Sequence, residues 1–103
     1  MATELQQKVW KALSLIPSGK VTTYSALTKQ VQTKGVRAVA TAVGKNPNAP
    51  HVPCHRVVRA DGSIGQYSAG SGVLTKIALL KKEGVYVKNG MVENFENILF
   101  MFE

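Results

Sequence analysis

What the chain has little of narrows it first. Among its 103 residues there is one cysteine, Cys54, so no internal disulfide can form and a reducing compartment is expected, cytoplasmic or, in a eukaryote, nuclear. No hydrophobic run approaches the roughly 18 to 20 unbroken apolar residues of a membrane helix, and the opening MATELQQKVW lacks an apolar signal core. Only His51 and His55 stand near Cys54, so a four-ligand zinc site would need carboxylates. Acidic residues are scarcest of all. None occurs between Glu4 and Asp61, where Lys8, Lys11, Lys20, Lys29, Lys34, Arg37, Lys45, Arg56 and Arg59 fall, so that segment carries +9 against +7 for the whole chain. A well-solvated surface is one reading of such a block; a polyanion, nucleic acid foremost, is the other. The length leaves room for one small core and hence one domain, 1–103.

Thr3 with Gln6 forms a capping-box start, and Leu5, Val9, Ala12, Leu13 and Ile16 recur at helical spacing, which predicts a first helix to about residue 16. Thr23 caps a second over Tyr24 to Val31, and Thr33 a third over Lys34 to Val43. The third places Val36, Val39, Ala40 and Val43 on one face and Lys34, Arg37, Thr41 and Lys45 on the other, beside the small Ala38, Ala42 and Gly44. Two short helices in tandem, the second with a basic face, are the minimum for a helix-turn-helix. Pro47, Pro50 and Pro53 predict a stiff, extended approach to Cys54. Ala60-Asp61-Gly62 and Asn89-Gly90 signal hairpin turns, Val73 to Glu83 a helix closed by Gly84, and the tail ENFENILFMFE docks as helix or strand. The expected class is mainly α with small β hairpins, a winged-helix-like helix-turn-helix domain.

The informative string is PCHRVV. A lone thiol with an imidazole beside it and two arginines behind can serve as a nucleophile, because positive charge and a nearby base favour the thiolate. A small buried core residue is the bland alternative. In an extended chain Cys54 and His55 would point to opposite sides, so His55 would act on the thiol through a bridging water, its far nitrogen fixed by a carboxylate. With Asp61 in a turn and Glu4 at the start, Glu83 is the best-placed carboxylate; as a helix-end residue it could equally be solvated.

The run VTTY, then KGVRAVATAVGKNP, VPCHRVVRADGSIGQYSAG and KIALLKKEG, resembles over about residues 5 to 88 the DNA-binding catalytic domain of O6-alkylguanine-DNA alkyltransferases. That resemblance implies direct, single-turnover transfer of an alkyl group from guanine O6 to Cys54, without a cofactor, in double-stranded DNA bound by a monomer. It implies His55 as the water-mediated base, Glu83 as its carboxylate and Asn46 as the brace of the active-site turn. It further implies Tyr24 as the group that stabilises the departing guanine and helps turn the nucleotide out, and Arg37 as the side chain that fills the vacated stack. Ser68 and the main chain of Cys54 and Val57 would read the guanine, while Val43 and Tyr67 would line the alkyl pocket. Lys76 falls on a structural position. Two departures stand out: YSAG replaces a loop where two glycines commonly follow the serine, so that Ala69 is expected to narrow the pocket, and two extra residues precede Lys76. The N-terminal domain usual in the family is not expected.

The chemistry fits those residues. Guanine O6 is hidden in a duplex, so the base must leave the stack, and an arginine on a slim helix suits a minor groove about 6 Å wide. A proton donor at Tyr24 would keep guanine from leaving as an anion. The competing reading is an alkyltransferase-like sensor that binds alkylated guanine and recruits other repair proteins; such relatives replace the cysteine, so Cys54 discriminates. A plain helix-turn-helix regulator leaves PCHRVV and Glu83 unexplained, and protease-type thiol hydrolysis lacks a second domain to form a cleft.

Overall fold

The computed structural model describes residues 2–33, 35–49, 51–67 and 70–102. Helix α1 (Glu4–Leu13) begins as expected, Thr3 Oγ1 accepting from Gln6 N and Thr3 N donating to Gln6 Oε1, both at 3.0 Å. It ends three residues early. Leu15 and Ile16 donate to Ala12 and Leu13, a tighter turn that carries Ile16 into the core outside the α-helix. Helix α2 (Tyr24–Gln30) is capped by Thr23, whose Oγ1 accepts from Ala26 N at 3.0 Å.

Helix α3 (Val36–Gly44) starts later than Thr33 predicted: Gly35 is its N-cap, without a side-chain hydrogen bond, and the Thr33 amide instead donates to Thr28 O. Its buried face is Val39, Ala42 and Val43, so Ala42 belongs to the core rather than the surface, while Val36 is 46% exposed. Trp10 Nε1 donates to Ala42 O at 2.8 Å and fastens α1 to α3. The helix-turn-helix of α2 and α3 therefore rests on α1 around Val9, Leu13, Leu27, Val31, Val39 and Val43.

Strand β1 (Thr22–Thr23) pairs in parallel with β2 (Val57–Val58), Thr22 facing Val57. Consecutive strand residues point to opposite faces, so Val57 enters the helical core and Val58 a second core with Val21, Ile64, Leu80, Val85 and Val92. The predicted reversal after β2 is present: Arg59 N donates to Ser63 O, Gly62 N to Arg59 O, and Gly62 takes a φ of +87° that suits glycine. Beyond that one Arg59–Ser63 bond, however, the strand pairings of its arms run outward, β2 with β1 and Ser63 with Met91. Helix α4 (Val73–Lys82) follows, then the expected hairpin of β3 (Val87–Lys88) and β4 (Met91–Val92), with Asn89 and Gly90 both at positive φ. The tail uses both options left open for it, a single turn α5 (Phe95–Ile98) and then a parallel bridge from Leu99 to Val21. Phe100 N donates to Val21 O at 2.6 Å and Thr22 Oγ1 to Phe100 O at 2.9 Å, so the tail braces the strand that leads into Tyr24. No helix among the described residues is long and apolar enough to cross a membrane.

Candidate active site

Among its described residues the segment before Cys54 is coiled into turns and not extended. Asn46 organises it: its Nδ2 donates to Val52 O at 2.6 Å and its Oδ1 accepts from Asn48 N at 3.1 Å. Val52 N bonds Asn48 O and Cys54 N bonds Val52 O, which sets the thiol at the start of a 3₁₀ turn over Cys54–Arg56. Pro50 lies outside the described residues. The tight turn, rather than a strand, sends Cys54, His55 and Arg56 in three directions, the first two into the interior at 6% and 2% exposure.

His55 Nε2 lies 2.9 Å from Glu83 Oε2, and since an ionised carboxylate can only accept, the ring proton sits on Nε2. The lone pair is thereby left on Nδ1, which is buried and has no hydrogen-bond partner among the described residues. Burial holds the imidazole pKa below its ordinary value, with the charges of Arg56 and Lys76 acting the same way, against the raising effect of Glu83. Burial would raise Glu83, but hydrogen bonds from Arg56 and His55 overcome it and keep the carboxyl below its usual range. The sequence reading missed Arg56 in this set. Its Nε and Nη2 grip the two Glu83 oxygens at 2.9 and 2.6 Å, and Nη1 donates to Ile16 O at 2.6 Å. Its only sequence signal was its place in CHR, because its partner lies 27 residues away.

Cys54 opens onto a cavity of about 860 Å³ whose walls include Tyr24, Arg37, Val43, Arg59, Tyr67 and Val73. Burial, opposed by the charge of Arg59, raises Tyr24, so its phenol stays protonated. Burial and then the charge and hydrogen bonding of the Cys54 sulfur push Tyr67 up to about 12. Behind the wall Lys76 is fully buried, its Nζ donating to Val57 O at 2.7 Å and Gln66 O at 3.1 Å and lying 6.0 Å from the Tyr24 ring centre. Burial lowers its pKa to about 8.

Of the residues singled out from sequence, Cys54, Tyr24, Arg37, Val43 and Tyr67 meet at this cavity, and His55, Glu83 and Asn46 stand behind it. Thr41 on α3 and Lys45 at its C-cap are exposed and do not line the cavity. Val57 does not reach the wall: its side chain is fully buried and its carbonyl accepts from Lys76. Lys34, Ser68 and Ala69 lie outside the described residues.

Comparison with known proteins gives this geometry a context. The family profile described as 6-O-methylguanine DNA methyltransferase, DNA binding domain, matches residues 4–85. The methylated-DNA--protein-cysteine methyltransferase of Methanosarcina mazei is 46% identical over 82 residues, 79% of this chain and 51% of that protein. The chain thus spans about half the length of such curated relatives. Among solved structures, Mycobacterium tuberculosis OGT in complex with DNA is similar at a TM-score of 0.74 and 44% identity, covering 81% of this chain and 51% of that one. S. pombe Atl1, in complex with damaged DNA containing O6-carboxymethylguanine, is similar at 0.81 and 29% identity, with 99% of this chain and all of that one covered.

Proposed function

The chain belongs to the O6-methylguanine DNA methyltransferase family by its DNA-binding domain, and from that membership we propose that it repairs DNA by taking an alkyl group from guanine O6 onto Cys54. The observation that carries this reading is the thiol on the cavity wall next to an imidazole whose proton is pinned by Glu83 and whose free lone pair is buried. In this reading the exposed basic face of α3, with Arg37, Thr41 and the Lys45 that follows it, lies in the minor groove of double-stranded DNA, and Lys34 is assigned to the same contact. Arg37 takes the place of the alkylated nucleotide in the stack, and the base turns into the cavity toward Val43, Tyr67 and the main chain around Cys54, with Ser68 assigned to read the guanine. His55 Nδ1 draws the thiol proton through a water. The sulfur then bonds to the alkyl carbon while the carbon–oxygen bond breaks, and the Tyr24 phenol gives a proton to the departing guanine, which leaves neutral. Because the thioether is not reversed, one chain acts once. The protein does this as a monomer and without a cofactor.

A second reading draws on the similarity to Atl1, which extends over nearly the whole chain, tail included: recognition of the alkylated base without transfer. Cys54 favours transfer. Incubation with a duplex containing O6-methylguanine, followed by intact mass and peptide mapping, separates the two. Transfer adds one methylene unit to Cys54, and binding alone leaves the mass unchanged. Cys54→Ala retains binding and loses the mass gain.

A further inference from the structure

The cavity mouth carries a second arginine to which the proposed function gives no task. Arg59 follows β2 directly, is exposed, and lines the cavity together with Tyr24, Arg37 and Cys54. Its stem lies close to Tyr24 and Lys76. Gly65, at φ +72°, leaves a point at which a Cβ would stand 3.7 Å from Arg59 Cγ, 3.5 Å from Tyr24 Cε2 and 3.6 Å from Lys76 Nζ, so the three side chains converge on one glycine. Among the described residues the head of the side chain is not committed to a partner. No hydrogen bond or ion pair joins the Arg59 guanidinium to another described residue, and the neighbouring Asp61 carboxylate is turned toward Ser63, accepting from its amide at 2.9 Å and its hydroxyl at 2.6 Å. None of the described residues lining the cavity is acidic. The cavity is therefore lined by two cations, Arg37 on α3 and Arg59 after β2, together with the reacting thiol and Tyr24.

A nucleotide that leaves the stack takes its phosphates with it, and turning the backbone brings those charges toward the cavity mouth. A planar guanidinium held beside that mouth is well suited to a phosphate, because its fork of donors matches two phosphate oxygens. We infer that Arg59 binds a phosphate flanking the nucleotide that enters the cavity and holds that nucleotide in the turned-out position. The inference rests on the reading of the site as one for alkylated guanine in DNA. It gives the two arginines different tasks. Arg37 replaces a base and matters where there is a stack to fill; Arg59 holds backbone and matters wherever the lesion is flanked by phosphates, single strands included.

The test is a cycle between protein and substrate. Oligonucleotides containing one O6-methylguanine, single-stranded and duplex, are prepared with the flanking phosphate on the 5′ or the 3′ side replaced by a neutral methylphosphonate. Single-turnover transfer at saturating protein and Kd are measured for the parent and for Arg59→Gln, whose folding is checked by thermal melting. With unmodified oligonucleotides of both kinds, Arg59→Gln is slower or weaker by about tenfold, the usual scale of a lost charge-assisted hydrogen bond. One of the two methylphosphonates lowers the parent by a similar factor and leaves Arg59→Gln nearly unchanged, while free O6-methylguanine base reacts equally with both proteins. Losses that multiply at both phosphates, or a variant equal to the parent, overturn the role of Arg59 while leaving alkyl transfer standing. A parent that binds without transferring is read through the same cycle in Kd. A parent that neither binds nor alters these oligonucleotides removes the underlying reading, and the inference with it.

Discussion

Arg56 holds Glu83 by both carboxylate oxygens, Nε to Oε1 at 2.9 Å and Nη2 to Oε2 at 2.6 Å, and the same Oε2 receives His55. The orientation of the imidazole is thus set two residues away from the thiol, by an arginine that is itself moored to the Ile16 carbonyl beyond α1. Lysine keeps the charge of arginine but not its fork. Arg56→Lys should therefore slow single-turnover transfer, by on the order of tenfold, and lower stability by about 1–3 kcal/mol, since the pair is largely but not wholly buried. Transfer rates and urea unfolding check this; a variant with parental rate would mean that Glu83 needs no such hold.

His55 and Glu83 should behave as one unit, so that Glu83→Gln costs nearly as much as the double variant His55→Ala/Glu83→Gln. The pH profile gives the sign. Because burial holds the His55 pKa below its ordinary value of 6.5, the imidazole stays a neutral base as pH falls past that value, and the acid limb of the transfer rate should lie below 6.5. Glu83 raises that pKa, so Glu83→Gln should move the limb further toward acid while lowering its plateau. A limb at or above 6.5, or multiplicative losses in the double variant, would disconnect the pair from the thiol.

What could be read from residues alone divides by sequence distance. The Thr3 and Thr23 caps, the Gly62 turn and the Asn89-Gly90 hairpin are local signals, and each is present. The partners of β2 were not legible: Val57 and Val58 look equally suited to a hairpin, and only the tertiary fold brings Thr22 and Thr23 alongside. Three prolines suggested extension, whereas Asn46, which bonds Val52 and Asn48, coils the segment. In the site, Cys54 and His55 announced themselves by adjacency, and Glu83 by the scarcity of acids. Arg56 and Lys76 did not, because a charged side chain reads as surface until the fold supplies its buried acceptors.

Lys76 makes this point measurable. Its pKa falls from 10.5 to about 8 on burial, so between those values the unfolded chain binds more protons than the folded one, and the contribution of this group to stability rises with pH across that window. Below pH 8 the folded protein carries the buried charge at a constant cost, offset by bonds to Val57 O and Gln66 O. Relative to Lys76→Met, the parent should gain on the order of 3 kcal/mol between pH 8 and 10.5. Urea unfolding of both proteins across that range isolates the lysine from the tyrosines, which titrate in each; parallel curves would place the charge in a more solvated setting than its burial implies.

Arg37 also lines the cavity, exposed near the start of α3, with its main-chain carbonyl accepting from Thr41 Oγ1 at 3.0 Å and the small Ala38 beside it. If it fills the place of the turned-out nucleotide, its value depends on there being a stack to break, which costs a few kcal/mol in a duplex and nothing for a free base. Arg37→Ala should then slow transfer from O6-alkylguanine in duplex DNA by on the order of a hundredfold at saturating protein, corresponding to about 3 kcal/mol of unstacking, while free modified base reacts at the parental rate. A phosphate contact would leave a different trace. Its loss would weaken binding and reduce the slope of log K against log salt by about 1, yet excess protein would restore the duplex rate. Single-turnover rates at saturation on both substrates decide between them, and equal duplex rates for variant and parent would reassign Arg37 to the backbone.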